Sequence, residues 1–273
     1  MAHGMGTLMQ VPEHKLLLQK GEIHLYASNP LSVTNTGLLT QYQEMLSEEE
    51  EKKRARYVFE KDCHRYLVTR AMIRSLLSQY GEYEPAEWRF TAGKWDKPEI
   101  CVSQNPQKLR FNISHTDGMI CCVITRELDI GVDVESTHRK GEWVRIAHRY
   151  FSASEEQELT SQPWQSQRSR FFDYWTLKES YIKACGMGLA IALRDFSFRF
   201  QPLGTVDIEF AAGRIDDPRL WNFCTLLTAA DFKISIGIKG KSNRVSPQMV
   251  VREGVPLDGW QTVHFPSVYM FKD

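Results

Sequence analysis

The amino-acid sequence predicts an α+β fold with two similar halves. Its two longest helical stretches, at 47–80 and about 169–185, are each followed by a run of segments with strand-like alternation. Helices that precede runs of strands, instead of alternating with single strands, are typical of α+β folds. Because 42% of the 273 residues are hydrophobic, the chain can bury two modest cores or one continuous core.

The first helical stretch carries clear start and stop signals. Ser47 is followed three residues later by Glu50, which is the capping-box pattern of a helix N-terminus. A break near 61–62 divides the stretch, and Gly81 ends it. The strand candidates are EIHLYAS at 22–28, LRFNISH at 109–115, MICCVIT at 119–125, DIGVDVE at 129–135, FSFRF at 196–200, VDIEF at 206–210, NFCTLLT at 222–228 and KISIGIK at 233–239.

The chain contains no glycine-serine linker, so we expect two tightly joined domains. We assign 16–127 to the first half and 128–241 to the second. The segment 242–273 is polar, with scattered proline and aromatic residues. It is predicted to be a C-terminal tail of uncertain order.

The composition restricts the partners and the compartment. Lysine and arginine number 34, as do aspartate and glutamate, so the overall charge attracts neither nucleic acid nor an anionic membrane. The six cysteines form no C-x-x-C pair, which favours reduced thiols. The sequence has no signal-peptide pattern and no run of roughly 20 apolar residues. We therefore expect a soluble, cytoplasmic protein.

The strand DIGVDVE places carboxylates together. Asp133 and Glu135 fall on one face and the valines on the other, because side chains alternate along a strand. Gly131 leaves room beside them. Oxygen ligands in this arrangement suit Mg²⁺, although the same pattern also fits ordinary acids on a half-exposed strand.

The helix FFDYWTLKESYIKACG places an acid beside a base. Glu179 and Lys183 are four residues apart and share one face, opposite the apolar stripe that begins at Tyr174. They could act on a ligand, or they could form an ordinary surface pair worth about 0.3–0.5 kcal/mol.

Several further polar residues could reach a phosphate. His115 stands where a strand runs into a turn, and Lys53, Lys61 and Lys97 lie in or near the first half's helix and loop. Each of them, taken alone, is more typical of an ordinary turn or solvated surface residue.

The order of three motifs resembles one family. FNISH at 111–115, GVDVE at 131–135 and WTLKESYIK at 175–183 are similar to the serine-histidine, G-[IV]-D-x-E and W-x-x-K-E-[SA]-x-x-K segments of the 4′-phosphopantetheinyl transferase superfamily. The motif spacing resembles its long, two-domain, surfactin-synthetase-activating type. The resemblance covers about 47–238. It departs from the family in one loop, where Asp96 replaces the usual glycine of glycine-lysine-proline.

This resemblance implies two pseudo-symmetric halves, each a long helix packed on a small antiparallel sheet, with the active site in the cleft between them. It implies Mg²⁺ binding by Asp133, Glu135 and Glu179, and catalytic roles for Glu179, Lys183 and Asp133. It also implies contacts to coenzyme A from Lys53, Lys61, Lys97, Pro98, Ser114, His115 and Lys183.

The implied reaction moves the 4′-phosphopantetheine arm of coenzyme A onto a serine of an apo acyl or peptidyl carrier protein, leaving adenosine 3′,5′-bisphosphate. Either Glu179 or a metal-bound water could take the serine proton. We expect a monomer. The alternatives are a Mg²⁺-dependent hydrolase that cleaves coenzyme A and a non-catalytic module that docks on carrier proteins.

Overall fold

The computed structural model describes residues 15–93, 97–240 and 247–272. Over these ranges the chain forms six α-helices: α1 Thr36–Glu44, α2 Glu48–Arg54, α3 Glu60–Tyr80, α4 Trp143–Tyr150, α5 Ala153–Ser161 and α6 Trp164–Cys185. The strands are β1 Glu22–Ser28, β2 Phe90–Ala92, β3 Pro98–Ile100, β4 Leu109–Thr116, β5 Met119–Arg126, β6 Asp129–Ser136, β7 Phe196–Phe200, β8 Val206–Phe210, β9 Trp221–Leu227, β10 Phe232–Lys239, β11 Gln248–Val255, β12 Gly259–Thr262 and β13 Ser267–Tyr269.

The helices of the first half begin and end at the expected caps. The Ser47 hydroxyl accepts a hydrogen bond from the Glu50 N–H, and the Glu50 carboxylate accepts one from the Ser47 N–H. Gly81 caps α3. The interruption lies at 55–59, before the expected break at 61–62. Glu60 and Asp62 instead stand in the first turn of α3, where acidic side chains suit the helix dipole. None of the described helices is long and apolar enough to span a membrane.

The sheet of the first half contains five strands in the order β12, β11, β1, β5, β4. β1, β5 and β4 are antiparallel, as expected. β11, which follows the second half in sequence, pairs with β1 in parallel. The sheet is therefore mixed, not purely antiparallel. α3 packs on it through a buried core that includes Tyr26, Met72 and Trp260.

The sheet of the second half has the order β13, β9, β10, β6, all antiparallel. α6 packs against β6 and β10. A Cβ atom at Gly131 would lie 2.1 Å from the carbonyl oxygen of Ser180, so only glycine allows this approach. α6 begins at Trp164, earlier than the expected start near Ser169, because 164–168 contains neither glycine nor proline.

The two sheets share a buried core of their own. It includes Ile23 and Val123 from the first sheet and Val132 and Ile236 from the second. The edge strands β4 and β6 are neighbours across this junction. The two halves are thus packed together, whereas their division into domains at 127–128 stays a prediction.

The C-terminal segment differs from the expected tail of uncertain order. Its described part, 247–272, adds β11 and β12 to the first sheet and β13 to the second. The alternation of Val251 and Trp260 with polar neighbours buries one side of these strands. The segment therefore contributes to both halves.

Candidate active site

The candidate site lies along the junction of β4 and β6. The two strands belong to different sheets and form no backbone ladder with each other. Side chains of β4 accept hydrogen bonds from the backbone of β6 instead. The Asn112 side-chain oxygen accepts a hydrogen bond from the Val132 N–H at 2.9 Å, and the Ser114 hydroxyl accepts one from the Val134 N–H at 3.4 Å. These bonds satisfy backbone donors on the edge of β6.

Asp133, Ser114 and Lys183 meet at the centre of the junction. The Lys183 ammonium donates to Asp133 Oδ1 at 2.6 Å and to the Ser114 hydroxyl at 2.7 Å, and that hydroxyl donates to Asp133 Oδ1 at 2.9 Å. Asp133 is only 5% exposed. Its second oxygen, Oδ2, is buried and has no hydrogen-bond partner among the described residues. A buried charged oxygen without a partner is costly, so this atom is suited to a cation.

Glu135 lies two residues further along the same face of β6. It accepts hydrogen bonds from the Thr116 hydroxyl at 3.2 Å and from the Arg139 guanidinium at 2.7 Å. Burial, followed by the negative charge of Asp133, raises the pKa of Glu135, and Arg139 opposes this rise. Arg139 therefore neutralises only part of the negative charge on this strand.

Glu179 faces the same carboxylates from α6. Burial raises the pKa of Glu179 to about 7, and the charges of Asp133 and Glu135 add to this rise while Lys183 opposes it. The three carboxylates thus repel one another across the junction of β6 and α6. Mutual repulsion of this kind is relieved by a bound cation.

The donor set fits Mg²⁺, but it does not form a closed metal centre. In the described ranges, no three histidine, cysteine or acidic side chains are grouped closely enough to hold an ion. Asp133 Oδ1 is instead paired with the Lys183 ammonium. Binding of Mg²⁺ by Asp133, Glu135 and Glu179 therefore stays a prediction, supported by the unpartnered Oδ2 and the repulsion between the acids.

His115 and a group of cations stand at one end of the junction. His115 is exposed at the end of β4, near the positive charges of Arg65 and Lys183. Arg65 donates to Asp117 in the β4–β5 turn at 2.8 Å, and the Lys61 ammonium lies 3.8 Å from the same carboxylate. Positive charge from α3 thus reaches the end of β4.

Three predicted residues remain: Lys53, Lys97 and Pro98. Lys53 is exposed on α2, with its ammonium 6.0 Å from the centre of the Tyr66 ring. The Lys97 ammonium donates to the backbone carbonyls of Ile130 at 3.2 Å and Lys183 at 2.8 Å. Pro98 begins β3. The Lys97 ammonium is therefore bound to backbone carbonyls of the protein.

Sequence reasoning missed Asn112, Thr116, Arg139 and Arg65. The first two could have been found, because polar side chains at every second position of β4 point to one side of the strand. Arg65 carries no such signal, since its partner Asp117 is 52 residues away. Arg139 is four residues from Glu135, but outside a helix that spacing does not place two side chains together.

Comparisons with known proteins agree with the motifs. A model of the 4′-phosphopantetheinyl transferase superfamily matches 129–236, and a model of the 4′-phosphopantetheinyl transferase N-terminal region matches 35–127. The chain is 32% identical to the 4′-phosphopantetheinyl transferase Sfp of Bacillus subtilis, over 68% of this chain and 79% of that protein. It is 31% identical to the 4′-phosphopantetheinyl transferase HetI of a Nostoc species, over 64% of this chain and 73% of that protein. It is also 31% identical to the rat L-aminoadipate-semialdehyde dehydrogenase-phosphopantetheinyl transferase, over 57% of this chain and 53% of that protein. The chain therefore belongs to the 4′-phosphopantetheinyl transferase superfamily.

Proposed function

We propose that this protein transfers the 4′-phosphopantetheine group of coenzyme A to a serine of an apo acyl or peptidyl carrier protein and acts as a monomer. The observation that carries the proposal is the cluster of Ser114, Asp133 and Lys183 between the halves, with Glu135 and Glu179 beside it. Such a site combines hydrogen-bond donors for phosphate with unneutralised carboxylates for a cation. Phosphoryl transfer depends mainly on this kind of positioning and charge neutralisation.

The proposed chemistry is a displacement at the β-phosphorus of coenzyme A. The carrier serine oxygen forms the new bond to phosphorus, the bond to the bridging oxygen breaks, and adenosine 3′,5′-bisphosphate leaves. Lys183, Ser114 and His115 bind the phosphates, and Lys183 stabilises charge on the leaving group. Mg²⁺, held by Asp133, Glu135 and Glu179, would neutralise pyrophosphate charge. Glu179, or a water that the cation would hold, would take the serine proton.

The nucleotide end of coenzyme A belongs on the side of the first half. Lys61 and Arg65 carry positive charge at the start of α3, close to His115. Lys53 adds a cation on α2, beside a shallow depression that Glu49, Lys52, Arg56 and Tyr57 also line. The segment at Lys97–Pro98 approaches the same junction from β3.

A panel of apo carrier proteins, incubated with coenzyme A and Mg²⁺, tests the proposal. Intact mass should show that a carrier gains one phosphopantetheine, and that a carrier whose acceptor serine is replaced by alanine gains none. Release of free phosphopantetheine without carrier modification would instead identify a hydrolase. Carrier binding without any chemistry would identify a docking module.

A further inference from the structure

Lys97 joins the two halves of the molecule at the end of α6. It comes from the first half, just before β3. Its ammonium donates to the carbonyl oxygen of Ile130 on β6 and to that of Lys183 on α6. Its aliphatic stem passes Gly186, where an added Cβ atom would lie 3.3 Å from Lys97 Cδ. One side chain thus connects a strand, the last turn of a helix and the opposite half.

The last turn of α6 benefits from such a partner. The final carbonyls of a helix have no intrahelical donor and carry the negative end of the helix dipole. Gly186 closes the helix in the left-handed conformation, at φ +65°, with its N–H donating to the carbonyls of Ile182 and Lys183. The Lys97 ammonium supplies the Lys183 carbonyl with a charged donor, which is the stronger kind of hydrogen bond.

The position of this turn determines where the Lys183 side chain lies. The backbone of Lys183 is held by Lys97, and its ammonium reaches Asp133 and Ser114 at 2.6 and 2.7 Å. A group that must meet phosphate loses efficiency when it is displaced by as little as about 1 Å. An anchor on the Lys183 backbone therefore acts on the site without touching a ligand.

We propose that Lys97 is a positioning residue, through which the first half holds the C-terminal turn of α6 and thereby Lys183. This inference assigns the Lys97 side chain to the carbonyls of the protein instead of to the 3′-phosphate of coenzyme A. Its kinetic consequences rest on the proposed function, whereas its structural consequence does not.

The variant Lys97→Met tests the anchor, because methionine keeps an unbranched stem and lacks the ammonium. Lys108→Met is the matched control, since Lys108 lies in the same half, is 72% exposed and, in the described part of the chain, has its ammonium paired with Glu127 alone, at 3.4 Å. Hydrogen exchange of the free protein should be about tenfold faster at the amides of 182–186 in Lys97→Met, the loss expected for a charge-assisted hydrogen bond. Lys108→Met should match wild type. Unchanged exchange at 182–186 in Lys97→Met would overturn the inference, whether or not the protein is a transferase.

Kinetics separate the anchor from a phosphate ligand. Lys97→Met should lower kcat/KM about tenfold with coenzyme A and by the same factor with 3′-dephospho-coenzyme A, because Lys183 acts on the pyrophosphate that both molecules share. A raised KM for coenzyme A alone, with kcat intact, would show that Lys97 binds the 3′-phosphate and would overturn the inference.

A second variant covers the case in which Lys97→Met does not fold. Lys97→Gln retains a neutral donor for a carbonyl but no charge for a phosphate. Lys97→Ala, which has no donor, is the comparison. The amides at 182–186 in Lys97→Gln should exchange at a rate closer to that of wild type than to that of Lys97→Ala. Equal exchange in Lys97→Gln and Lys97→Ala would contradict an anchor through hydrogen bonds.

Discussion

The two carboxylate oxygens of Asp133 lie in different environments. Its Oδ1 atom accepts hydrogen bonds from Lys183 and Ser114, while Oδ2 has no partner in the described part of the chain. A carboxylate that served only to fix the junction of β4 and β6 would have both oxygens satisfied, because unpaired buried charge is destabilising. The unsatisfied oxygen therefore indicates a role in binding, not only in packing.

Neutralising one carboxylate at this site should abolish transfer without unfolding the protein. Asp133→Asn and Glu179→Gln keep the side-chain shape and remove the charge that a cation requires. Each should reduce transfer, measured by intact mass of the carrier, by far more than tenfold. Asp129→Asn, an exposed position on the same strand, should leave the rate within about twofold. Rates within about tenfold of wild type, a loss of only ~1.4 kcal/mol, would contradict the Mg²⁺ assignment.

The sequence predicted which charged side chains share a face, but not the contacts that surround them. Side-chain periodicity places Asp133 and Glu135 on one strand face and Glu179 and Lys183 on one helix face. Only the resemblance of the motifs implied that these two faces belong to one site. Lys97 could not be assigned in this way, since its partners are backbone carbonyls of two distant elements. Carbonyls leave no trace in a pattern of residue types.

The two halves use the same device to hold a short helix against a long one. In the first half, Glu50 of the capping box at the start of α2 accepts hydrogen bonds from Arg74 on α3, 24 residues later. In the second half, Glu155 of the capping box of α5 pairs with Lys178 on α6 at 2.8 Å. All four side chains are buried.

The two basic residues also act alike beyond these pairs. Arg74 donates to the backbone carbonyls of Pro85 and Trp88, which follow α3. Lys178 donates to those of Leu193 and Phe196, which follow α6. The repeated geometry supports two pseudo-symmetric halves. Lys178 is thereby structural, although it stands next to Glu179.

Removing the charge of Glu50 should destabilise the fold. Glu50→Gln leaves Arg74, which is only 2% exposed, without its buried anion, and breaking a buried pair typically costs about 3–5 kcal/mol. Glu48→Gln on the same helix is the control, because Glu48 is 92% exposed and pairs weakly with Lys52. The control should change the free energy of unfolding in urea by less than about 0.5 kcal/mol. Similar values for the two variants would show that the buried pair does not contribute.

The elements themselves were largely predictable, because their signals are local. Capping at Ser47 and termination at Gly81 follow from single residues. The repeat of the two halves was not visible as sequence similarity. Both halves have a capping box and a basic residue far along the chain that pairs with it, but the basic residue is arginine in one half and lysine in the other.

At the scale of the whole molecule, the C-terminal segment ties the two sheets together. β11 extends the first sheet beside β1, and β13 extends the second beside β9. Between them, Phe265 enters the core that the two sheets share. The Tyr42 hydroxyl on α1 also donates to the Pro256 carbonyl at 2.5 Å.

This arrangement could not be read from the sequence. The partners of β11 in β1 lie at the opposite end of the chain, and pairing over such a separation depends on the completed fold. In addition, β11 and β12 bury few of their residues. The apolar residues of 247–272 are therefore scattered, as they are in a loosely structured segment.

A substitution in this segment tests whether it holds the halves together in solution. Phe265 is 8% exposed and packs between the two sheets, whereas Met270, five residues later, is 54% exposed. Phe265→Ala should lower the free energy of unfolding by about 3 kcal/mol, as truncation of a buried aromatic ring usually does. Met270→Ala should change it by less than about 0.5 kcal/mol. Because Phe265 belongs to the apolar core between the sheets, transfer per folded molecule should persist at low temperature. Equal, small effects of the two substitutions would mean that the segment is not packed between the two sheets in solution.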